Sequence, residues 1–275
     1  MNSRERISEE NEKFWDELCG SNLAKSLGIK DHSENSLKIF DDGYFNYYPY
    51  LSDYIRFDEV AGRDVLEVGL GYGTVSQKLA ESGANYTGID IASGPVSMVN
   101  HRLKQRGLNG EAHRMSILSP TFATESFDKI VAIGCLHHTG DLQLALDQCW
   151  RLLRPAGQLV FMVYYAYSYR RYYINPRGTL KHVVKEIAGY RGVIGPSDDH
   201  ERSAYDASHD GNAAPHTDWI SVKSLRELCR RFSKLTTRLE NIDSDFSRSH
   251  ISREKLMRTF IPKHAGLDLY AIAVK

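Results

Sequence analysis

The feature that most constrains this chain is a stretch from residue 61 to 165 in which short apolar runs alternate with amphipathic ones. RDVLEVG (63–69), YTGIDI (86–91), EAHRMSI (111–117), DKIVAIG (128–134) and GQLVFMVYY (157–165) read as five successive strands. After Thr74, Val75, Leu79 and Ala80 share one helical face. Ser93 is a candidate helix cap with Pro95 in the first turn, and Val96, Val99 and Leu103 follow at helical spacing. Asp141 is a second candidate cap; behind it Leu142, Ala145, Leu146, Cys149, Leu152 and Leu153 recur at i, i+3, i+4 and i+7, with Pro155 as the stop. Such alternation implies parallel strands joined by right-handed crossovers, with ligands bound beyond the carboxyl ends of the strands.

The flanks differ in texture. Residues 1–60 are helix-like and aromatic, 166–218 are polar and rich in Gly, Pro, Asp, His and Tyr, and 219–275 give one more helix and two strands. The fold expected is α/β and Rossmann-like. A mostly parallel seven-stranded sheet carries helices on both faces. Residues 1–60 form an N-terminal helical lid, and residues 61–275 the main domain, with a lid insertion after strand five at about 166–218. The 35 basic residues balance 35 acidic ones, so no long-range field draws the chain to nucleic acid or to an anionic membrane. MNSRERISEENEKFW lacks the apolar centre of a signal peptide, and no apolar run approaches the roughly 20 residues that span a bilayer. A cytoplasmic protein, monomer or homodimer, with neither nucleic acid nor membrane as partner, is the expectation. Cys19, Cys135, Cys149 and Cys229 form no C-x-x-C pair and suggest neither a disulfide framework nor a zinc site; Cys149 and Cys229 fall at apolar helical positions.

The chemistry starts at Glu67-Val68-Gly69-Leu70-Gly71-Tyr72-Gly73, between the first strand and the first helix. Glycines there let the backbone turn tightly and approach a ligand. A dinucleotide fingerprint, G-x-G-x-x-G, fits poorly: the third glycine comes one position early, and Thr74 stands where the last would be. Glu67, at the strand tip, would repel a pyrophosphate but suits a ligand carrying an ammonium and a sulfonium, as S-adenosylmethionine (SAM) does. Asp90 ends the second strand 19 residues after Gly71, where a carboxylate accepts hydrogen bonds from vicinal ribose hydroxyls.

On these residues the chain resembles the class I SAM-dependent methyltransferases with the ubiquinone and menaquinone type of core. VLEVGLGYGT resembles that family's first motif and GIDIA its ribose motif. SFDKIVAIGCLHHTGD with RLLRPAGQLVF resembles its fourth- and fifth-strand motifs, so the likeness covers about residues 60–165. The flanks resemble a bacterial subgroup with an N-terminal F-W followed by C-G-S (Phe14-Trp15, then Cys19-Gly20-Ser21) and with S-x-x-x-L-R near the end (Ser221 to Arg226). The resemblance implies SAM as cofactor, held by Glu67, Gly69, Gly71, Asp90, Ile91, Ser116, Ile117 and Gly134, with Tyr48 touching it from the lid. Ser116 stands where the family usually has an Asp against the adenine amine, and its hydroxyl still accepts one hydrogen bond.

Methyl transfer is an in-line displacement in which the protein holds the nucleophile about 3 Å from the methyl. A hydroxyl acceptor also needs a base. His137 and His138, after the fourth strand, are the first candidates, and His216, in the loop Ala213 to Asp218, is another. Lid tyrosines suit a small, partly apolar acceptor, with O- or N-methylation favoured. Nucleic-acid amino methyltransferases carry [DN]-P-P-[YF] where Gly134-Cys135-Leu136-His137 stands, and no Asp/Asn cluster marks a magnesium site at the strand tips, so no metal is expected. The alternatives are a non-catalytic SAM-binding regulatory or interaction protein, and a methyltransferase acting on a macromolecule.

Overall fold

A computed structural model describes residues 3–16, 21–195, 198–246 and 251–275. Four helices lead in: α1 (Ser3–Trp15), α2 (Ser21–Ser26), α3 (Glu34–Tyr47) and α4 (Leu51–Ile55). The alternating core follows as β1 (Asp64–Val68), α5 (Thr74–Glu81), β2 (Asn85–Asp90), α6 (Ser93–Arg106), β3 (Glu111–Arg114), β4 (Phe127–Ile133), α7 (Leu142–Leu152) and β5 (Leu153–Tyr164). Helices α8 (Tyr169–Ile174), α9 (Pro176–Ile187) and α10 (Asp199–Ser203) form the insertion. The chain closes with α11 (Val222–Leu228), β6 (Lys234–Glu240), α12 (Arg253–Met257), α13 (Ile261–Ala265) and β7 (Asp268–Val274).

The strands make one seven-stranded sheet in the order β3-β2-β1-β4-β5-β7-β6. Strands β1 to β5 are parallel, and β7 runs antiparallel between β5 and β6. Chain order reverses between β1 and β4, so their carboxyl ends open the crevice where ligands bind. The strand pleat sorts side chains to the two faces. Leu66, Val68, Ile130, Ala132, Leu159 and Phe161 pack under α7 and α11. Val65, Val131, Val160 and Tyr270 pack under α4, α5 and α6. Glu67 shares the Val65 face, which places its carboxylate toward α5. Cys149 and Cys229 are buried in the first of these layers, as their helical positions indicated. Cys19 and Gly20 of the C-G-S motif lie outside the described residues.

Three local readings are corrected. Ser93 does not cap α6: Asp16, just past α1, takes that role, with its Oδ1 accepting from Gly94 N at 2.7 Å and Ser93 Oγ at 2.8 Å. Asp141 does cap α7, accepting from Leu144 N at 3.0 Å, but the helix stops at Leu152, ahead of Pro155, because Leu153 pairs with Phe127 of β4. The third strand ends at Arg114 rather than residue 117. Ser116 Oγ accepts from Leu118 N at 3.2 Å, and that turn carries residues 115–118 out of the sheet and over the crevice.

The N-terminal helices are tied down by polar contacts. Asp41 of α3 accepts from Thr74 Oγ1 at 2.6 Å and from both terminal nitrogens of the fully buried Arg102 at 3.0 and 3.1 Å. Such a buried, multiply bonded pair fixes register more than it adds stability. Among the described residues no helix is long and apolar enough to cross a membrane.

Candidate active site

A cavity of about 1130 Å³, counted with its open mouth, lies at the carboxyl ends of β1, β2 and β4. Its floor is the loop after β1. Gly69, Gly71 and Gly73 all have positive φ, at 77°, 50° and 79°. At Gly69 even a methyl group is excluded, since a Cβ would stand 2.4 Å from Cys135 Cβ. Cys135 in turn donates to Val68 O at 2.9 Å, locking the turn after β4 against the turn after β1.

Glu67 is buried, 4 % exposed, and its Oε2 accepts from Ser76 Oγ at 2.6 Å and Tyr86 Oη at 2.8 Å. Burial nevertheless dominates and pushes its carboxyl up to about 7, against the two hydroxyls that favour the charged form. A cationic ligand in the cavity would restore that charge. Asp90 accepts from Leu70 N at 2.8 Å with one oxygen and from Ala92 N at 2.9 Å with the other. Burial raises its pKa while these amides oppose the rise. The amides fix the carboxylate at the crevice with lone pairs to spare for hydroxyl donors.

Glu67, Gly69, Gly71, Asp90, Ile91, Ser116, Ile117, Gly134 and His138 all line this one cavity. Tyr48, His137 and His216 do not. Tyr48 packs in the aromatic run of α3 and α4, 5.0 Å from Tyr44 and 4.9 Å from Tyr47 between ring centres, and Tyr44 lines the cavity instead. His137 is fully buried, neither ring nitrogen has a hydrogen-bond partner among the described residues, and burial holds its pKa well below 6.5. Its ring packs on Tyr164 at 4.3 Å.

His138 is differently placed. Its Nδ1 lies 2.7 Å from the His216 carbonyl, which can only accept, so Nδ1 carries the proton and Nε2 is the free lone pair. Nε2 faces Asp206 Oδ2 of the insertion at 3.5 Å. Burial lowers the His138 pKa, partly offset by Asp206; burial likewise raises Asp206, partly offset by His138. His216 thus contributes its carbonyl to this arrangement, while its ring sits 3.1 Å from Asp218.

The lid expected over residues 1–60 meets the cavity through α1, whose contact residues were not among the site residues expected from sequence. Asn11 Nδ2 donates to His138 O at 2.6 Å, the Trp15 ring lies 4.9 Å from that of His138, and Arg4 reaches Asp141 at 3.1 Å. Ser8, Asn11 and Trp15 all line the cavity. Their spacing of three and then four is one helical face, a signal that was available once Trp15 had been singled out. Asp206 carried no such signal, because its partner is 68 positions away in sequence.

Comparison with known proteins shows what the fold and its core are similar to. Residues 66–161 match a family model described as a methyltransferase domain. The ubiquinone biosynthesis O-methyltransferase of Pseudomonas fluorescens is 31 % identical over 103 residues, which is 37 % of this chain and 44 % of that protein. The demethylmenaquinone methyltransferase of Tropheryma whipplei is 32 % identical over 130 residues, 46 % of this chain and 52 % of that protein. The chain therefore spans about half the length of these relatives. A solved SAM-dependent methyltransferase from Methanosarcina mazei superposes with a TM-score of 0.54 at 20 % identity, covering 83 % of this chain and 97 % of that one, a likeness of fold.

Proposed function

We propose that this chain, whose core is a class I SAM-dependent methyltransferase domain, transfers a methyl group to the oxygen or nitrogen of a small, partly apolar acceptor. The observation that carries the reading is that the carboxylates of Glu67 and Asp90, the glycine loop and His138 share one cavity roofed by α1. The cradle fits the cofactor. Gly69 lets the loop pack against Cys135 at the cavity floor, Asp90 stands at the ribose position, and Glu67 is a buried carboxylate in no ion pair with a described residue. Glu67 would hold the ammonium side, Asp90 the ribose hydroxyls, and Ile91, Ser116 and Ile117 the adenine. Bound there, the cofactor supplies an electrophilic methyl group.

His138 serves as the base for a hydroxyl acceptor. Its Nδ1 proton is fixed on the His216 carbonyl, so the site for proton uptake is Nε2; that atom is buried against Asp206, and a side-chain shift must open it to the acceptor before the Asp206 carboxylate can stabilise the imidazolium. Residues 1–60 and about 166–218 act as lids, the first through Asn11 and Trp15 and the second through Asp206 and His216. The names of the relatives favour a quinone-like ring as acceptor.

Calorimetric titration with SAM and with its demethylated product tests the cofactor site, and micromolar binding is expected for both. Absence of binding by either overturns the reading. Incubation with methyl-labelled SAM and a panel of catechols, hydroxyquinones and amines tests the reaction. Binding without label transfer to any of them would favour the non-catalytic alternative.

A further inference from the structure

Helix α9 faces the wrong way for a globular protein. Its apolar residues Leu180, Val184 and Ile187 fall at i, i+4 and i+7, the spacing that ordinarily seats a helix on a core. Here they are 60, 59 and 75 % exposed. The inward face is polar instead. Thr179 is buried and donates to Asn175 O at 2.7 Å, and Glu186 accepts from Ser221. Beside the apolar ridge runs a second exposed one, Arg177, Lys181 and Lys185 at i, i+4 and i+8. None of the three is ion-paired with a described residue, and the helix's one acid, Glu186, is turned inward. Tyr172 and Tyr190, each 44 % exposed, flank the helix at its two ends.

Three apolar side chains in a row, edged by three unpaired cations and no outward acid, make a surface suited to one class of partner. The geometry points to α9 as an interfacial helix that docks on an anionic lipid surface, with Leu180, Val184 and Ile187 entering the acyl boundary and Arg177, Lys181 and Lys185 on the headgroup phosphates. A partner protein core would complement the apolar ridge but leave the cationic ridge unmatched. The chain's zero net charge confines the attraction to this helix. Docking there is independent of methyl transfer, because vesicle binding is measured without turnover.

The test is partition of the full chain between buffer and vesicles of phosphatidylcholine alone or with phosphatidylglycerol. Selective binding to the anionic vesicles is expected. It should weaken about fivefold for each lysine contact removed, so by at least about 25-fold in Lys181→Glu/Lys185→Glu. The variant Leu180→Ser/Val184→Ser/Ile187→Ser should lose at least about tenfold, with an unchanged melting temperature and unchanged affinity for the demethylated cofactor certifying its fold. Equal partition onto neutral and anionic vesicles overturns the proposal, as does wild-type partition of the serine variant. A wild-type dimer that the serine variant dissociates would show instead that a second copy covers this ridge, and would overturn it too.

Discussion

Replacing Glu67 by Gln separates what the carboxylate costs the empty fold from what it does for the ligand. The amide is nearly isosteric, and its oxygen can accept from both Ser76 Oγ and Tyr86 Oη, so packing and both hydrogen bonds survive. The charge does not. Burial raises the Glu67 pKa from 4.5 to about 7, and at about 1.4 kcal/mol per unit this represents up to about 3 kcal/mol. The sign follows from linkage. Because the folded-state pKa is the higher one, the contribution of the protonated form is complete below pH 4.5 and is lost as pH rises through 7. The wild type is therefore penalised at pH 8 relative to pH 5, and Glu67→Gln is not. Denaturant unfolding without cofactor should find the variant more stable by about 1–3 kcal/mol at pH 8, with the difference shrinking toward pH 5. Calorimetry at pH 8 should find its SAM affinity down by about 10- to 100-fold, the worth of a charge-assisted contact. A stability difference that is equal at both pH values, or a variant that binds SAM as well as the wild type, would refute the assignment of Glu67 to a cationic ligand.

Other expectations follow from neighbouring residues. Asp90→Ala should weaken binding of the demethylated cofactor about 10- to 100-fold by calorimetry, since it removes a carboxylate already oriented by Leu70 N and Ala92 N. Gly69→Ala should lower thermal stability by more than about 2 kcal/mol, because its φ of 77° and a Cβ contact of 2.4 Å with Cys135 both penalise a side chain. His138→Ala should reduce kcat about 100-fold or more on a hydroxyl acceptor. In the wild type the acidic limb of the pH profile should lie below 6.5, since burial depresses that imidazole. His137→Leu should leave kcat intact and unfold within about 1 kcal/mol of the wild type or above it, since it deletes two buried ring nitrogens that have no partner; a kcat loss matching that of His138→Ala would overturn the distinction between them.

The sheet was legible because its signals are local. Strand runs, the glycine loop and the acid ending β2 all lie within a few residues of the elements they define, and Leu66 and Val65 alternate between faces as the pleat requires. The boundaries that moved did so through contacts distant in sequence. Ser93 lost its capping role to Asp16, which is 77 positions earlier, and Leu152 ends its helix because Phe127 claims the next residue. Tyr48 is equally a matter of tertiary choice. Four tyrosines between residues 44 and 50 offer the same chemistry, and only the docking of α3 through Asp41 to Arg102 and Thr74 decides that Tyr44 turns toward the cavity.

The paired histidines show the same limit at its sharpest. Leu136–His138 is one turn of 3₁₀ helix, so successive side chains point about 120° apart. The two rings still touch, 4.1 Å apart between centres, yet only His138 lines the cavity, and nothing within the turn says which of the two will. The choice is made by the polar groups around His138, those of Asn11, Asp206, His216 and Thr217, all remote in sequence. Asn11 donates to the His138 carbonyl from the N-terminal side, while from the insertion side the His216 carbonyl accepts from Nδ1 and the Asp206 carboxylate stands 3.5 Å from Nε2. Among the described residues His137 receives Asp218 N on its carbonyl, at 2.9 Å, and its ring packs on those of Tyr164 and His138 without a polar partner. The two flanking segments thus converge on one residue at the mouth of the crevice, and selecting His138 over His137 requires both of them to be in place.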